Sequence, residues 1–396
     1  MSDVFDVIIV GGGPAGATAA HDLARTGRKV MLLDRAGRIK PCGGAIPPRL
    51  IRDFEIPEHL LKAKVRSARM IAPSRTAVDM PIDAGGFVGM VDRDSFDEWL
   101  RERACSAGAH RRTGAFEVYD RADDGLSIVT WRDKADALQS ARARVVIGAD
   151  GANSAVARAA LPPSGRAPFV FAYHEIIRTP APADAAGLSP TRCDVYYQSE
   201  VSPDFYGWVF PHGDSISVGT GSARKGFSLR HAVSRLRQQC GLEQAETIRR
   251  EGAPLPLYPA KRWDNGRDVI LAGDAAGVVA PASGEGLYYA MLSGRFAADA
   301  CHAMLMTDNP RALATARKRF MKEHGRIFLV LWIMQTFWYR SDRLREVFVR
   351  ICKDPDVQRL TWESYMNKAL VKHDWKAHLR VFVKDLGHIL GLARSA

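Results

Sequence analysis

The sequence lacks the cysteine pattern of a disulfide framework or a zinc site. Its six cysteines are scattered along 396 residues, and no two of them form a C-x-x-C pair. Closely spaced pairs of that kind are typical of both sites. The N-terminal residues MSDVFDVIIV also lack the basic stretch, apolar segment and small-residue cleavage site of an export signal. These absences favour a reducing, cytoplasmic setting.

The sequence also lacks long apolar runs and concentrated charge. A membrane-spanning helix needs about 18 to 20 apolar residues, and the nearest approach, IFLVLWIMQTFWY, covers only residues 327–339. The net charge of +12 favours anionic partners. Because the basic residues are spread along the chain with no nucleic-acid-binding module, we expect no nucleic-acid partner. The scattered cysteines give no reason to expect a bound metal.

The first 34 residues contain the pattern of a nucleotide-binding fold. FDVIIV, GGGPAGATAAHDLARTG and KVMLLD predict a strand, a glycine turn with a helix, and a second strand. Uninterrupted apolar strands of this kind imply a parallel sheet covered on both faces. The fold class we predict is therefore α/β, with a Rossmann-like nucleotide-binding domain.

The glycine turn has G-x-G-x-x-G spacing. Glycines there allow a tight turn and let backbone N–H groups approach a pyrophosphate at the helix N-terminus. An aspartate ends the second strand 18 residues after the last glycine, where it can accept a hydrogen bond from a ribose hydroxyl. The predicted dinucleotide contacts are Gly11, Gly13, Pro14, Ala15, Gly16, Asp34 and Arg35.

Two later turns narrow the nucleotide to FAD by resemblance. IGADGANS carries Asp150 and Gly151, and LAGDAAGVVAPASGEG carries Gly273 and Asp274. A turn with an aspartate cap explains either one alone. In this order, the three turns resemble the FAD-binding fold of aromatic hydroxylases, which implies that Asp274 binds the ribityl-phosphate region. The next helix start, with Pro281, Gly284, Glu285 and Gly286, would face the flavin N1–C2 carbonyl.

The segment VDRDSFDEWL resembles a helix start of the same fold, with Asp94 or Ser95 as its cap. By that resemblance Arg93 lies near the FAD, although a surface arginine explains it equally well. Only one complete dinucleotide fingerprint is present, so we expect NADPH to dock transiently on the FAD domain.

Four regions follow from these patterns. We expect a first part of the FAD domain at residues 1–164, interleaved with other segments at 57–140, and an inserted antiparallel-sheet substrate domain at 165–256. The second part of the FAD domain is expected at 257–308, and a helical C-terminal region at 309–396.

The sheet segment contains an aromatic motif. SPDFYGWVFPHGDSISVGTG places Tyr206, Trp208 and Phe210 at alternating positions, so that a strand would present all three on one face as an apolar wall. An ordinary core strand would have the same pattern.

This motif, the FAD turns and KPCGGAIPPRL together resemble the geranylgeranyl reductase family over nearly the whole chain, and the (bacterio)chlorophyll branch most closely. The resemblance implies reduction of three isolated double bonds of a geranylgeranyl chain to phytyl, with NADPH as the donor.

Reduction of an isolated alkene needs a proton as well as a hydride, in a dry apolar site. We expect Cys42 to supply the proton, with Gly43 and Gly44 allowing close backbone approach; a small buried thiol is the alternative.

The resemblance also implies partners and leaves two rival functions open. The substrate is a prenyl chain, free as the diphosphate or attached to a tetrapyrrole. We therefore expect peripheral contact with an anionic photosynthetic membrane, with contact to pigment-synthesis proteins as a further option; the segment 327–339 is the candidate membrane surface or equally a core helix. The rivals are an FAD aromatic monooxygenase and a non-catalytic flavin-containing pigment carrier.

Overall fold

A computed structural model describes residues 4–35, 39–40, 42–83, 85–162, 168–181 and 187–369. Within them, the strands in chain order are Val4–Val10 (β1), Val30–Asp34 (β2), Ala45–Ile46 (β3), Leu61–Val65 (β4), Ser67–Ile71 (β5), Ala77–Pro81 (β6), Val88–Val91 (β7), His110–Thr113 (β8), Ala115–Arg121 (β9), Ser127–Arg132 (β10), Leu138–Gly148 (β11), Phe169–Arg178 (β12), Arg192–Tyr196 (β13), Gly207–Pro211 (β14), Ser215–Ser222 (β15), Thr247–Pro256 (β16) and Val269–Leu271 (β17).

The α-helices in the same residues are Pro14–Arg25 (α1), Pro48–Asp53 (α2), Arg93–Ser106 (α3), Ala155–Ala160 (α4), Leu229–Gln239 (α5), Leu287–Thr307 (α6), Ala314–Trp338 (α7), Asp342–Ile351 (α8) and Pro355–Asn367 (α9). Single 3-10 turns occur at Glu58–Leu60, Gly273–Ala276 and Pro310–Leu313.

The chain divides into two compact units. The first contains the described residues of Met1–Ile39, Arg93–Phe169 and Pro254–Leu329, and the second contains those of Lys40–Asp92, Val170–Ala253 and Val330–Ala396. Residues 370–396 of the expected helical C-terminal region lie outside the described part of the chain.

The first unit is built on a sheet with a parallel centre. β1 lies between β2 and β11, β8 continues the sheet beyond β2, and β17 lies beside the end of β11; all these pairs are parallel. β11 is long enough to pair antiparallel with β10 over its first half before it pairs with β17. Val7, Ile8 and Ile9 of β1 are fully buried, as expected of a parallel strand covered on both faces.

The second unit is built on a mixed sheet. β12, β15, β14 and β13 pair antiparallel in turn, β13 pairs parallel with β5, and β5 pairs antiparallel with β6; β16 flanks β12. The predicted antiparallel sheet therefore contains one parallel pair. α5 covers one face, where Val233 and Leu236 pack against Val209 and Val218 of the sheet.

A small sheet of β3, β7 and β4 packs against the second unit's main sheet at β13. Val65, Val88 and Met90 form a cluster there with Cys193 of β13, and Trp362 of α9 packs against it.

One local prediction differs from the structure. α3 begins at Arg93, so Asp94 and Ser95 lie in its first turn and neither is the cap. The helix expected after the loop Pro281 to Gly286 begins at Leu287 as α6, and the 3-10 turn Gly273–Ala276 precedes that loop. Across the described ranges, no helix combines the length and the apolar character needed to cross a membrane.

Candidate functional site

The glycine turn between β1 and α1 has room for a side chain at Gly13 but not at Gly11 or Gly16. A Cβ on Gly11 or Gly16 would overlap the backbone carbonyl of Ala149 or of Gly11, respectively. A Cβ on Gly13 would meet none of the described atoms within 4 Å. Gly11 and Gly16 therefore hold the strand, turn and helix together, whereas Gly13 borders open space.

The N-terminus of α1 opens onto that space. Gly13 is its N-cap, Pro14 begins the helix, and no described side chain accepts from the first N–H groups. Uncapped N–H groups at a helix start favour an anion. The turn therefore fits a pyrophosphate with backbone donors and with room at Gly13.

Asp34 lies beside this turn. Its Oδ1 accepts a hydrogen bond from the Gly12 N–H at 3.2 Å. Arg101 of α3 donates to the Gly12 carbonyl at 3.1 Å and approaches Asp34 Oδ2 at 3.5 Å. Arg35, the next predicted contact, is exposed.

Arg101 itself is held by Glu98. Two guanidinium nitrogens of Arg101 donate to Glu98 Oε2, and Arg111 of β8 donates to the same carboxylate. Hydrogen bonds from Arg111, followed by those from Arg101, lower the pKa of Glu98 to about 2. Glu98 is therefore ionised at neutral pH and fixes Arg101 next to Asp34.

A second helix start lies in the same unit, at α6. Its N-cap is Gly286, which has no side chain to bond to the first N–H groups of the helix. Gly284 has a φ of +64°, and the Ala280 N–H donates to the Glu285 carbonyl at 2.8 Å, so the loop from Pro281 to Gly286 is closed by backbone bonds. Asp274 is buried near this helix start, since its Oδ1 would lie 3.9 Å from a Cβ on Gly286.

α1 and α6 also pack closely on each other. A Cβ on Gly273, whose φ is +64°, would lie 2.8 Å from the Ala15 Cβ, and one on Gly294 would overlap the Ala15 backbone. Small residues therefore let the start of α1 pack closely against the turn at Gly273 and against α6 about two turns after its start. Together with Asp34, these features fit a dinucleotide.

Two of the predicted FAD contacts already have protein partners. Asp150 accepts from Ser154 Oγ at 2.5 Å and from the Ala155 N–H at 2.6 Å, so its carboxylate caps α4. Gly151 after it has a φ of +89°. Arg93 is buried and donates twice to Asp97 one helical turn later, at 2.8 and 2.6 Å. Their contact with FAD stays a prediction.

In the second unit, the Cys42–Gly43–Gly44 segment forms a tight turn. Cys42 is half-buried, and its Sγ accepts a hydrogen bond from the Gly44 N–H at 3.3 Å. Gly44 has a φ of +72°, and its carbonyl accepts from the Val91 N–H at 2.9 Å. A Cβ on Gly43 would lie 3.0 Å from the Phe210 ring. The turn therefore lies directly on the aromatic strand β14.

Tyr206, Trp208 and Phe210 form a continuous surface, which we call the aromatic wall. The ring centroids of Tyr206 and Trp208 are 6.0 Å apart, and those of Trp208 and Phe210 are 6.4 Å apart. Trp208 is buried, while the other two are half-buried. The prediction that the three rings share a face of the strand is confirmed.

The glycine after the motif makes room for the tryptophan. Gly219 of β15 is paired with Trp208, and a Cβ on it would overlap the indole ring. Only glycine at this position lets the Trp208 ring lie flat across the neighbouring strand.

A buried hydrogen-bond chain orients Trp208. Its indole N–H donates to Ser217 Oγ at 3.0 Å, and Ser217 Oγ lies 3.0 Å from His174 Nδ1. His174 Nε2 lies 2.7 Å from Glu251 Oε2. Because a carboxylate can only accept, the His174 Nε2–H donates to Glu251, and in the neutral ring Nδ1 then accepts from the serine hydroxyl.

Sequence reasoning missed several residues that the fold brings to these sites. Arg101 lies two helical turns after Arg93, but nothing local marks it as a neighbour of Asp34. His212 directly follows the aromatic motif, and its Nε2 lies 3.1 Å from the Gly43 carbonyl. The position of His212 directly after Phe210 and Pro211 could have marked it in the sequence as a neighbour of the aromatic motif. His174 and Glu251 reach the site only through strand pairing.

A family model described as the FAD binding domain matches residues 4–314. The described fold, with its glycine turn and two helix starts that have glycine N-caps in one unit, is thus that of an FAD-dependent enzyme. The predicted fold class and the predicted FAD cofactor are confirmed.

Proteins of similar sequence narrow the class of FAD-dependent enzymes to one family. The chain is 58% identical to the geranylgeranyl diphosphate reductase of Rhodobacter capsulatus over 98% of both chains. It is 36% identical to that of Synechocystis over 98% of both chains. The crystal structure of a geranylgeranyl bacteriochlorophyll reductase-like protein from Thermoplasma acidophilum matches with a TM-score of 0.82 at 23% identity, covering 99% of this chain and all of that one. The chain belongs to the geranylgeranyl reductase family, as predicted.

Proposed function

We propose that the protein is an NADPH-driven, FAD-dependent reductase that converts a geranylgeranyl chain to phytyl in (bacterio)chlorophyll biosynthesis. The observation that carries this proposal is the 58% identity over nearly the full length to a protein named geranylgeranyl diphosphate reductase. The free diphosphate and the pigment-bound chain share the same reacting alkenes, so the site chemistry described below serves both.

The residues that would hold FAD lie in the first unit. Backbone N–H groups of the turn at Gly13 would bind the pyrophosphate, and Asp34 would accept from a ribose hydroxyl. The start of α6, beside Asp274, would favour negative charge on the isoalloxazine ring. When bound, FAD supplies the hydride.

The chain itself must supply the proton. Addition of a hydride to one alkene carbon requires a proton at the other, and nothing in an isolated alkene polarises the bond in advance. We assign the proton to the Cys42 thiol: the S–H bond breaks, the new C–H bond forms, and the thiolate recovers its proton from solvent. The Gly44 N–H, which donates to Cys42 Sγ, stabilises negative charge on the sulfur.

The aromatic wall supports binding of the prenyl chain. Transfer of an apolar chain from water contributes about 0.8 kcal/mol per buried CH₂, and flat rings allow the chain to slide so that successive double bonds reach the same thiol. The N–H of Trp208 is satisfied by Ser217, so the ring presents no unpaired donor to the hydrocarbon.

We assign NADPH as the hydride source for the flavin, docking transiently on the FAD-binding unit. Two features support this assignment: the chain has one complete dinucleotide fingerprint, and its net charge of +12 attracts a polyanionic cofactor.

The central experiment is anaerobic incubation with NADPH and either geranylgeranyl diphosphate or a geranylgeranylated pigment, followed by mass analysis. We expect NADPH to bleach the flavin, and reduction of the alkenes to raise the product mass in steps of two hydrogens. Failure of NADPH to bleach the flavin would refute the donor and favour a pigment carrier. Oxygen-dependent NADPH consumption with a phenolic substrate would favour a monooxygenase.

We further propose that α7 binds the surface of an anionic photosynthetic membrane. One side of this helix exposes an apolar stripe between Arg326 and Arg340, both exposed. The stripe consists of Leu329, Val330, Trp332, Ile333 and Phe337, each 39–50% exposed. Apolar side chains flanked by cations suit a helix that lies in the headgroup region with its axis along the membrane.

Vesicle flotation tests this surface. We expect the wild type to float with vesicles containing an anionic lipid and to float less with purely zwitterionic vesicles. Ile333→Glu should abolish flotation, because it places a carboxylate in the stripe. Met306→Glu, which changes an exposed apolar residue of α6, is the matched control and should float normally. Equal flotation of both variants would refute the assignment. Contact with pigment-synthesis enzymes at the same membrane would follow from this location.

A further inference from the structure

His212 lies beside the Cys42–Gly43–Gly44 turn. It follows β14 directly, is 2% exposed, and its backbone N–H donates to the Ser215 carbonyl at 2.8 Å. Its Nε2 lies 3.1 Å from the Gly43 carbonyl oxygen, and its Nδ1 lies 3.5 Å from Asp92 Oδ1.

The protonation state of His212 follows from its surroundings. Burial lowers its pKa to about 4, so the ring is neutral at pH 7. A carbonyl oxygen can only accept, so the single ring proton is on Nε2 and is donated to Gly43. Nδ1 makes no hydrogen bond within the described residues.

The ring also limits the turn sterically. A Cβ on Gly44 would overlap the His212 ring and would lie 2.5 Å from the Val91 carbonyl oxygen. The turn is thus held between the imidazole and β7, with the Phe210 ring beneath Gly43. His212 donates to the backbone of the turn from its side chain, whereas the bonds from Val91 and Gly44 come from backbone N–H groups.

We propose that His212 is a positioning residue for the reduction: by holding the Gly43 carbonyl and filling the space at Gly44, it keeps the Cys42 thiol at one place over the aromatic wall. This inference rests on the proposed role of Cys42 as proton donor. His212 is assigned no proton transfer of its own.

The test is a double-mutant cycle. We expect His212→Leu, which removes the donor, to lower kcat by about 10–100-fold, since small misplacements of a reacting group have effects of this size. KM should change less than about threefold. In the Cys42→Ala background the same substitution should have little further effect, because there is no thiol left to position. His212→Gln, which keeps an N–H donor, should restore most of the rate.

A second measurement does not depend on activity. Alkylation of Cys42 by iodoacetamide, followed by peptide mass mapping of the FAD-loaded protein, reports how firmly the turn is held. We expect His212→Leu to change the Cys42 alkylation rate several-fold and to leave that of Cys105 unchanged. His231→Leu, at an exposed position of α5, is the matched control. This assay remains informative if His212→Leu proves too slow to assay for turnover.

The outcomes separate the two proposals. Equal loss of rate in the wild-type and Cys42→Ala backgrounds, or an unchanged alkylation rate, would overturn the positioning role. Full activity of Cys42→Ala alone would overturn the proposed proton donor instead, whatever His212 variants do.

Discussion

The same substitution, glycine to alanine, should have different effects at two positions of the glycine turn: it should lower stability at Gly16 and FAD affinity at Gly13. The methyl group of Gly16→Ala would overlap the Gly11 carbonyl and would also approach the Ala149 Cβ at 3.2 Å. The obstacle is backbone, so α1 must move away from β1. Overpacking of this kind costs about 3 kcal/mol, the upper end of its usual range. For a unit of this size, that corresponds to a fall in Tm of roughly 6–12 °C.

Gly13→Ala should leave the stability nearly unchanged. Gly13 has φ −74° and ψ −176°, which alanine adopts without strain, and its Cβ would meet none of the described atoms within 4 Å. Loss of glycine at an N-cap costs about 1 kcal/mol, and the stiffer unfolded chain offsets about 0.4–1 kcal/mol of it. If a pyrophosphate occupies the open space, FAD affinity should nevertheless fall about 10–100-fold, equivalent to about 1.4–2.8 kcal/mol.

The assays are thermal unfolding of the apoprotein and titration of FAD by quenching of its fluorescence. Gly27→Ala, at a turn outside the site, is a control for the general effect of adding a methyl group; because its φ is +76°, it should lower stability without lowering FAD affinity. If Gly13→Ala binds FAD as tightly as the wild type, the pyrophosphate does not lie over Gly13 and the assignment of this site is refuted.

Three further predictions concern the second unit. Cys42→Ala should retain FAD but slow the reduction or stall it at partly saturated products, as measured by mass analysis; full conversion at the normal rate would refute the proton-donor role. Ser217→Ala should cost about 2–4 kcal/mol, because it leaves the Trp208 N–H and the His174 Nδ1 buried without their partner; a change in the unfolding free energy no larger than that of Ser215→Ala would contradict this. The pKa of His212 is lowered to about 4, whereas the unfolded chain takes up this proton near pH 6.5. Between pH 4 and 6.5 the unfolded state therefore binds more protons than the folded state. About 3 kcal/mol of the unfolding free energy should be lost as the pH falls from 6.5 to 4. A Tm profile over that range as steep in His212→Gln as in the wild type would exclude this origin.

The motifs that sequence reasoning recognised are those whose geometry is local. G-x-G-x-x-G determines a turn and a helix start within six residues, and the structure has α1 beginning at Pro14. The alternation of Tyr206, Trp208 and Phe210 places three rings on one face because a strand alternates its side chains.

The predictions that were wrong or incomplete involve competition among neighbouring residues. Asp94 and Ser95 have the chemistry of a cap, but α3 begins at Arg93, one residue earlier. Asp150 lies at a strand end as predicted, yet its carboxylate bonds to the start of α4. The local sequence alone allowed Asp150 to be either an FAD contact or a helix cap.

By itself, the sequence determined the strand, turn and helix pattern of the FAD-binding unit and the aromatic face of β14. These depend on backbone preferences and periodicity over a few residues. Only the tertiary structure decided which distant groups meet. Strand pairing sets Gly219 opposite Trp208 and brings His174 to Ser217, and folding of the second unit brings His212 onto the Cys42–Gly43–Gly44 turn. Such contacts join residues up to 169 positions apart, and no local propensity encodes them because they arise from the packing of separate elements.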